Sequence, residues 1–126
     1  MSFGFPHLDT LCRATDAHYR GMSGIDSARR TEALDHVSQA LALLERVQIR
    51  WRRYGDTTPL AIVSEPIEMI LRTAKNILTR PTDAHLADTA RMLSGAIMAM
   101  QKIKRDELRS VIEKTQAACE ALLDRQ

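Results

Sequence analysis

The stretch from Thr82 to Gln126 contains no proline and a single glycine, Gly95, and its apolar side chains recur at helical spacing. Proline and glycine are the residues that interrupt helices most effectively, so this stretch predicts one long helix, or two helices joined by a bend. Upstream lie shorter helical segments and no run that alternates with the period of a half-buried strand. The chain therefore reads as all-α: a single-domain helical bundle over residues 1–126, with four to five helices and a long C-terminal helix. Its 126 residues are close to the commonest size of one domain and can bury one hydrophobic core. Only 4% of residues are aromatic, so that core must be aliphatic, filled by Leu, Ile, Val, Ala and some of the six Met.

Pro6 suits a first helical turn, and Leu8, Leu11, Cys12, Thr15, Tyr19 and Met22 then recur at three and four residues. Gly21 and Gly24 end that segment. Ser23 followed by Asp26 suits a cap for a second helix from about Ile25 to Tyr54. The inward face of that helix is Ala33, Leu34, Val37, Ala40, Leu41, Leu44, Val47, Trp51 and Tyr54. Gly55 to Pro59 is a loop, with Thr58 as N-cap and Pro59 in the following first turn. Pro66 predicts a division, with a short turn over Leu60–Ser64 and a third helix over Glu65–Thr79. Arg80 to Asp83 forms the last break.

In the final segment Leu86, Ala90, Leu93, Ile97 and Met100 follow the 4-3-4-3 spacing of a seam between helices. Leu108, Ile112, Thr115, Cys119 and Leu122 make a second run, eleven residues on from Ile97, so a straight helix could carry both on one face. That helix would be about 65 Å long, more than a domain of this size is wide. It must bend near Lys102 to Asp106, or project an apolar stripe that another chain covers. On the second reading Leu108, Ile112 and Leu122, together with Trp51 and Tyr54 on the second helix, are candidate protein-interface residues. Gly95 admits two readings, close approach of another backbone or tolerated drift.

Charge is uneven although the formal total is only +2. Arg46, Arg50 and Arg53 fall on one helical face, beside the apolar face that holds Trp51. Lys102, Arg105 and Arg109 form a second row. Such rows suit a nucleic-acid backbone, because guanidinium groups bind phosphate in a bidentate way and release its counterions. They equally suit a solvated face that keeps the protein dispersed. Trp51 sits among arginines, but its phase places it in the core or in an interface rather than on a base-stacking surface. Met92, Met98 and Met100 are read as core filling or as the lining of an adaptable groove.

No spacing demands chemistry. His7, His18, His36 and His85 are scattered singly, without the i, i+4 pairing of a helical metal site. Glu65 and Glu68 share a helical face without the Glu-x-x-His partner of carboxylate-bridged metals. Cys12 and Cys119 sit at apolar helical positions and read as buried thiols, a disulfide between them being the lesser reading. There is no phosphate-cradling glycine loop and no nucleophile elbow. The expectation is therefore no enzyme, no metal and no cofactor. Residues 1–6 have neither the basic nor the apolar region of a secretory leader. No window holds the roughly 18 apolar residues of a membrane span, which predicts a cytoplasmic protein with no membrane partner.

Two functions remain. One is a non-catalytic helical interaction module, a small subunit or adaptor of a multi-protein assembly, whose partners are other subunits or copies of itself. The other is a small subunit of a ribonucleoprotein that holds an RNA or DNA backbone without reading its sequence. In architecture this second form resembles the small helical subunits of CRISPR effector complexes, which line a channel for a nucleic-acid strand. That resemblance rests on the helical architecture alone and on no motif.

Overall fold

The computed structural model describes residues 23–80 and 85–123. Among these the chain forms four α-helices and no strand: α1 (Ser23–Arg53), α2 (Thr58–Thr79), α3 (Leu86–Ile103) and α4 (Arg109–Leu123). The expected helix over Leu8–Met22, with Cys12, lies outside the described residues, as does the expected break after Arg80.

Each helix runs antiparallel to the next. Gln48 and Arg52 on α1 meet Ser64 and Glu65 on α2, while Glu45, further back on α1, meets Arg72, further along α2. At the other side, Trp51 near the end of α1 reaches Glu107 just before α4. The Cys119 thiol of α4 lies 3.5 Å from the Ala90 carbonyl oxygen of α3. Helix α1 thus packs between α2 and α4, and α3 closes the fourth corner against the same two helices. This is the up-down-up-down arrangement that short connections between helices favour.

The core is aliphatic, as the composition requires. Ala33, Val37, Leu44, Leu71, Leu93, Ile97, Leu108 and Cys119 are among its buried residues, and Trp51 is the one buried aromatic side chain among the described residues. The period of the inward face of α1 holds from Ala33 to Trp51, with Leu34 half-buried. Tyr54 departs from it. The helix stops at Arg53 and Tyr54 turns extended (φ −117°, ψ 128°), which leaves its side chain 62% exposed.

Two further expectations are corrected. Of the two forms expected for the C-terminal stretch, the described residues show the one bent near Lys102 to Asp106 and not one long helix: α3 has 18 residues and α4 has 15. Lys104 ends α3 in the left-handed region (φ 58°, ψ 47°), and Arg105 is extended (φ −117°, ψ 131°). The chain then makes one 3₁₀ turn over Asp106–Leu108 before α4 begins. The physical reason is burial. Folding back places Leu108, Thr115, Cys119 and Leu122 against the core, whereas a straight helix would have carried them into water.

Pro66 likewise does not divide α2, which runs unbroken from Thr58 to Thr79. Its buried residues Ala61, Ser64, Ile67, Leu71, Ala74 and Leu78 keep one helical phase across the proline. The hydrogen bond that Pro66 cannot donate would have gone to the carbonyl of Ile62. Both residues are on the solvent side, so water can satisfy that carbonyl.

One buried polar pair fixes the α1–α2 register. Gln48 Nε2 donates to Ser64 Oγ at 2.8 Å, and that hydroxyl donates to the Ala61 carbonyl at 2.8 Å. Both side chains are sealed from solvent. Ser64→Ala leaves the Gln48 amide buried without this partner, a loss of about 1–3 kcal/mol that urea denaturation would measure. Gly95 on α3 is exposed, and a Cβ built on it meets nothing within 4 Å. The close-approach reading therefore has no counterpart among the described residues. Gly95→Ala should raise stability by about 0.5–1 kcal/mol, read as a higher thermal midpoint.

Candidate functional site

The two helix reversals, α1 to α2 and α3 to α4, lie at the same end of the bundle and share one construction. In each, an extended residue accepts a backbone hydrogen bond from three residues on and leads into a single 3₁₀ turn. These bonds run from the Thr57 N–H to the Tyr54 carbonyl and from the Leu108 N–H to the Arg105 carbonyl, both 3.0 Å. The Thr57 hydroxyl also donates to the carbonyls of Trp51 (2.7 Å) and Tyr54 (3.0 Å), which closes the last turn of α1.

Trp51 and Glu107 tie these reversals together. The Trp51 ring is 2% exposed, and its Nε1–H donates to Glu107 Oε2 at 3.3 Å. Arg105 grips the same carboxylate, Nε to Oε1 at 2.9 Å and its terminal nitrogen to Oε2 at 3.2 Å. These bonds, the Arg105 clamp first, hold the Glu107 carboxyl at a pKa of about 2, below its ordinary 4.5. The Arg105 guanidinium is correspondingly raised, with Asp56 of the first reversal adding to the field of Glu107.

The two basic rows come out differently. Arg46, Arg50 and Arg53 are exposed on α1, as their spacing predicts, and none of them makes an ion pair among the described residues. The second row is not a row. Lys102 lies in α3, Arg105 in the connection and Arg109 at the start of α4, so no single helix face carries all three. Arg105 is committed to Glu107, and Arg109 stands 3.6 Å from Asp106.

A groove of about 430 Å³ runs between the end of α1 and the start of α4. Leu43, Arg46, Val47, Arg50, Glu107 and Ser110 line it. Ser110 and Glu107 carried no signal in the sequence, because their nearness to the arginines comes only from the antiparallel packing of α4 on α1.

Of the residues assigned to a protein interface, Trp51, Leu108 and Leu122 are buried in this chain's own core and Ile112 is half-buried. A partner could reach the first three only by opening the bundle. Tyr54 alone is exposed. The larger apolar surface lies elsewhere, on the outer side of α2. There Ile62, Val63 and Met69 keep 59%, 54% and 69% of their surface in solvent, with Pro59 and Pro66 exposed beside them. These five positions follow i, i+3, i+4, i+7 and i+10, one helical face without a charge on it. Dividing the segment at Pro66 hid this continuity. Met100 fills the core, Met98 is exposed and Met92 lies between them.

Among the described residues no group of three His, Cys, Asp or Glu side chains is placed to hold a metal ion. Nor is any described helix long and apolar enough to cross a membrane.

Glu107 is stabilised as the carboxylate, so its contribution is complete above its ordinary pKa near 4.5 and is lost as pH falls towards 2. Trp51, the only tryptophan, reports this contact directly. Its fluorescence should change between pH 4.5 and 2 in the native chain, and Glu107→Gln should abolish that transition while leaving the pH 7 spectrum close to native. Comparison with protein families, with curated proteins and with solved structures finds no match to this chain.

Proposed function

We propose that this chain is a cytoplasmic, non-catalytic interaction module, a small helical subunit of a larger assembly. The observation that carries this reading is the outer face of α2. A helix in an ordinary bundle turns one apolar face inward and a polar face to water. Helix α2 has a buried face running from Ala61 to Leu78 and a second apolar face at Pro59, Ile62, Val63, Pro66 and Met69. A contiguous apolar strip of this kind is uncommon on a chain that works alone, and its spacing is that of a helix read by a complementary protein groove or helix. The charges flanking it are largely paired: Arg72 bridges Glu45 and Glu68, and Arg52 lies 3.8 Å from Glu65. A neutralised rim around an apolar centre suits a protein partner, because charges are depleted at the centre of such interfaces.

A second reading, the holding of a nucleic-acid backbone, is supported by the three arginines of α1, which stand in solvent without an ion pair among the described residues. The readings are compatible, since α2 and this row occupy different sides of the molecule's helical pair. A subunit of a ribonucleoprotein would use both.

Ile62→Glu and Met69→Lys change only exposed side chains, so their thermal unfolding should match the native protein within about 0.5 kcal/mol. In purification of the tagged protein from its native host, the stoichiometric partner, or the self-associated form seen by light scattering, should be lost in both variants. A native chain that is a monodisperse monomer and retrieves the same proteins as the variants would refute the module reading.

A further inference from the structure

We infer that the groove between α1 and the start of α4 seats one phosphate of a single-stranded nucleic acid, with the strand continuing along Arg53 to stack a base on Tyr54. This rests on the second reading above and gives it a place along α1.

Three observations support it. First, Arg46 and Arg50 line one wall of the groove, and Ser110 stands opposite, in the first turn of α4. Two guanidinium groups and a hydroxyl are complementary to a phosphate. Second, the only carboxylate lining the groove among the described residues is already occupied. Both oxygens of Glu107 accept hydrogen bonds from Arg105, and one also accepts from Trp51. Arg46 and Arg50 therefore keep their charge for an outside anion, although Glu107 is their neighbour. Third, the row does not end on a charge. Tyr54 follows Arg53 in the chain, just past the end of α1, and is 62% exposed. An aromatic ring beside a basic track favours a strand with unpaired bases over a lipid headgroup or a free phosphate, since every base offers a face to stack. A duplex hides those faces.

The contacts are to backbone and to base faces, so binding should be indifferent to sequence. It should also fall with salt, because each neutralised phosphate releases counterions.

The test is fluorescence anisotropy of a labelled oligo-dT with the full chain at several salt concentrations, beside inorganic polyphosphate as competitor and thermal melts to verify folding. Native protein should bind the oligonucleotide. Arg46→Glu/Arg50→Glu should weaken binding by tenfold or more and flatten the salt dependence by about one to two in slope. Ser110→Ala should weaken it less, and Tyr54→Ala should cost about tenfold with the salt slope unchanged. If the native chain does not bind the strand, the backbone-binding reading falls and the inference with it. If it binds but the arginine and tyrosine variants bind equally well, that reading survives and this groove is not the site. If the arginine variant fails while Tyr54→Ala binds normally and polyphosphate competes as well as the oligonucleotide, the groove accepts polyanions generally and the nucleic-acid assignment is overturned.

Discussion

The position of the α3–α4 reversal against the end of α1 depends on the hydrogen-bonded knot of Trp51, Glu107 and Arg105. Trp51 is the largest side chain in the core, and its indole N–H must find an acceptor once the ring is sealed from water. Glu107 supplies it from 56 positions further along the chain. Arg105 in turn holds the carboxylate that would otherwise be left half-buried with a net charge. The contact fixes where the α3–α4 reversal sits against the end of α1. From that anchor α4 runs back along α1 and buries Val111, Thr115, Ala118 and Leu122.

The same knot shapes the electrostatics at this end of the molecule. Helix α1 carries arginines close to acidic residues of its own and of neighbouring segments, and most of those acids are already engaged. Glu107 is held by Arg105, Glu45 and Glu68 meet at Arg72, and Glu65 faces Arg52. Exposed pairs of this sort contribute little to stability, of order 0–1 kcal/mol each. Their larger effect is on which cations remain uncompensated. Arg46, Arg50 and Arg53 face solvent without an ion pair among the described residues, and the first two line a groove with Ser110. A pairing pattern, rather than net charge, creates the basic track.

Helix α2 shows a related division of labour. Its inner face satisfies the core and includes the Gln48–Ser64 hydrogen bond, a polar contact that sets register where aliphatic packing alone would tolerate sliding. Its outer face is apolar and carries Pro66. That proline lacks an N–H and is tolerated because the carbonyl it leaves free lies on the solvent side. Core packing on both sides of Pro66 is what keeps the helix whole, and a whole helix is what aligns Ile62, Val63 and Met69 into a single strip.

The helical class and most of the core were legible in the residues themselves. The periods of Ala33 to Trp51 and of Leu86 to Met100 name the buried side chains, since a 3.6-residue repeat leaves only one face on which aliphatic groups can gather. The arginine row of α1 was legible for the same reason. Local pattern misled at Pro66, whose missing donor matters less than the packing around it, and at Tyr54, where the helix ended before its period did. At Lys104 and Arg105 no glycine or proline announces the reversal. Only the gain from folding the apolar face of α4 onto the core selects it over a longer helix. Sequence by itself thus determined what each helix buries, because that is a property of spacing along one chain. Tertiary structure decided the partner of Trp51, the choice of the bend at Lys104 over a straight helix, the groove at Ser110 and the continuity of α2 across Pro66, because each depends on packing against residues far away in the chain.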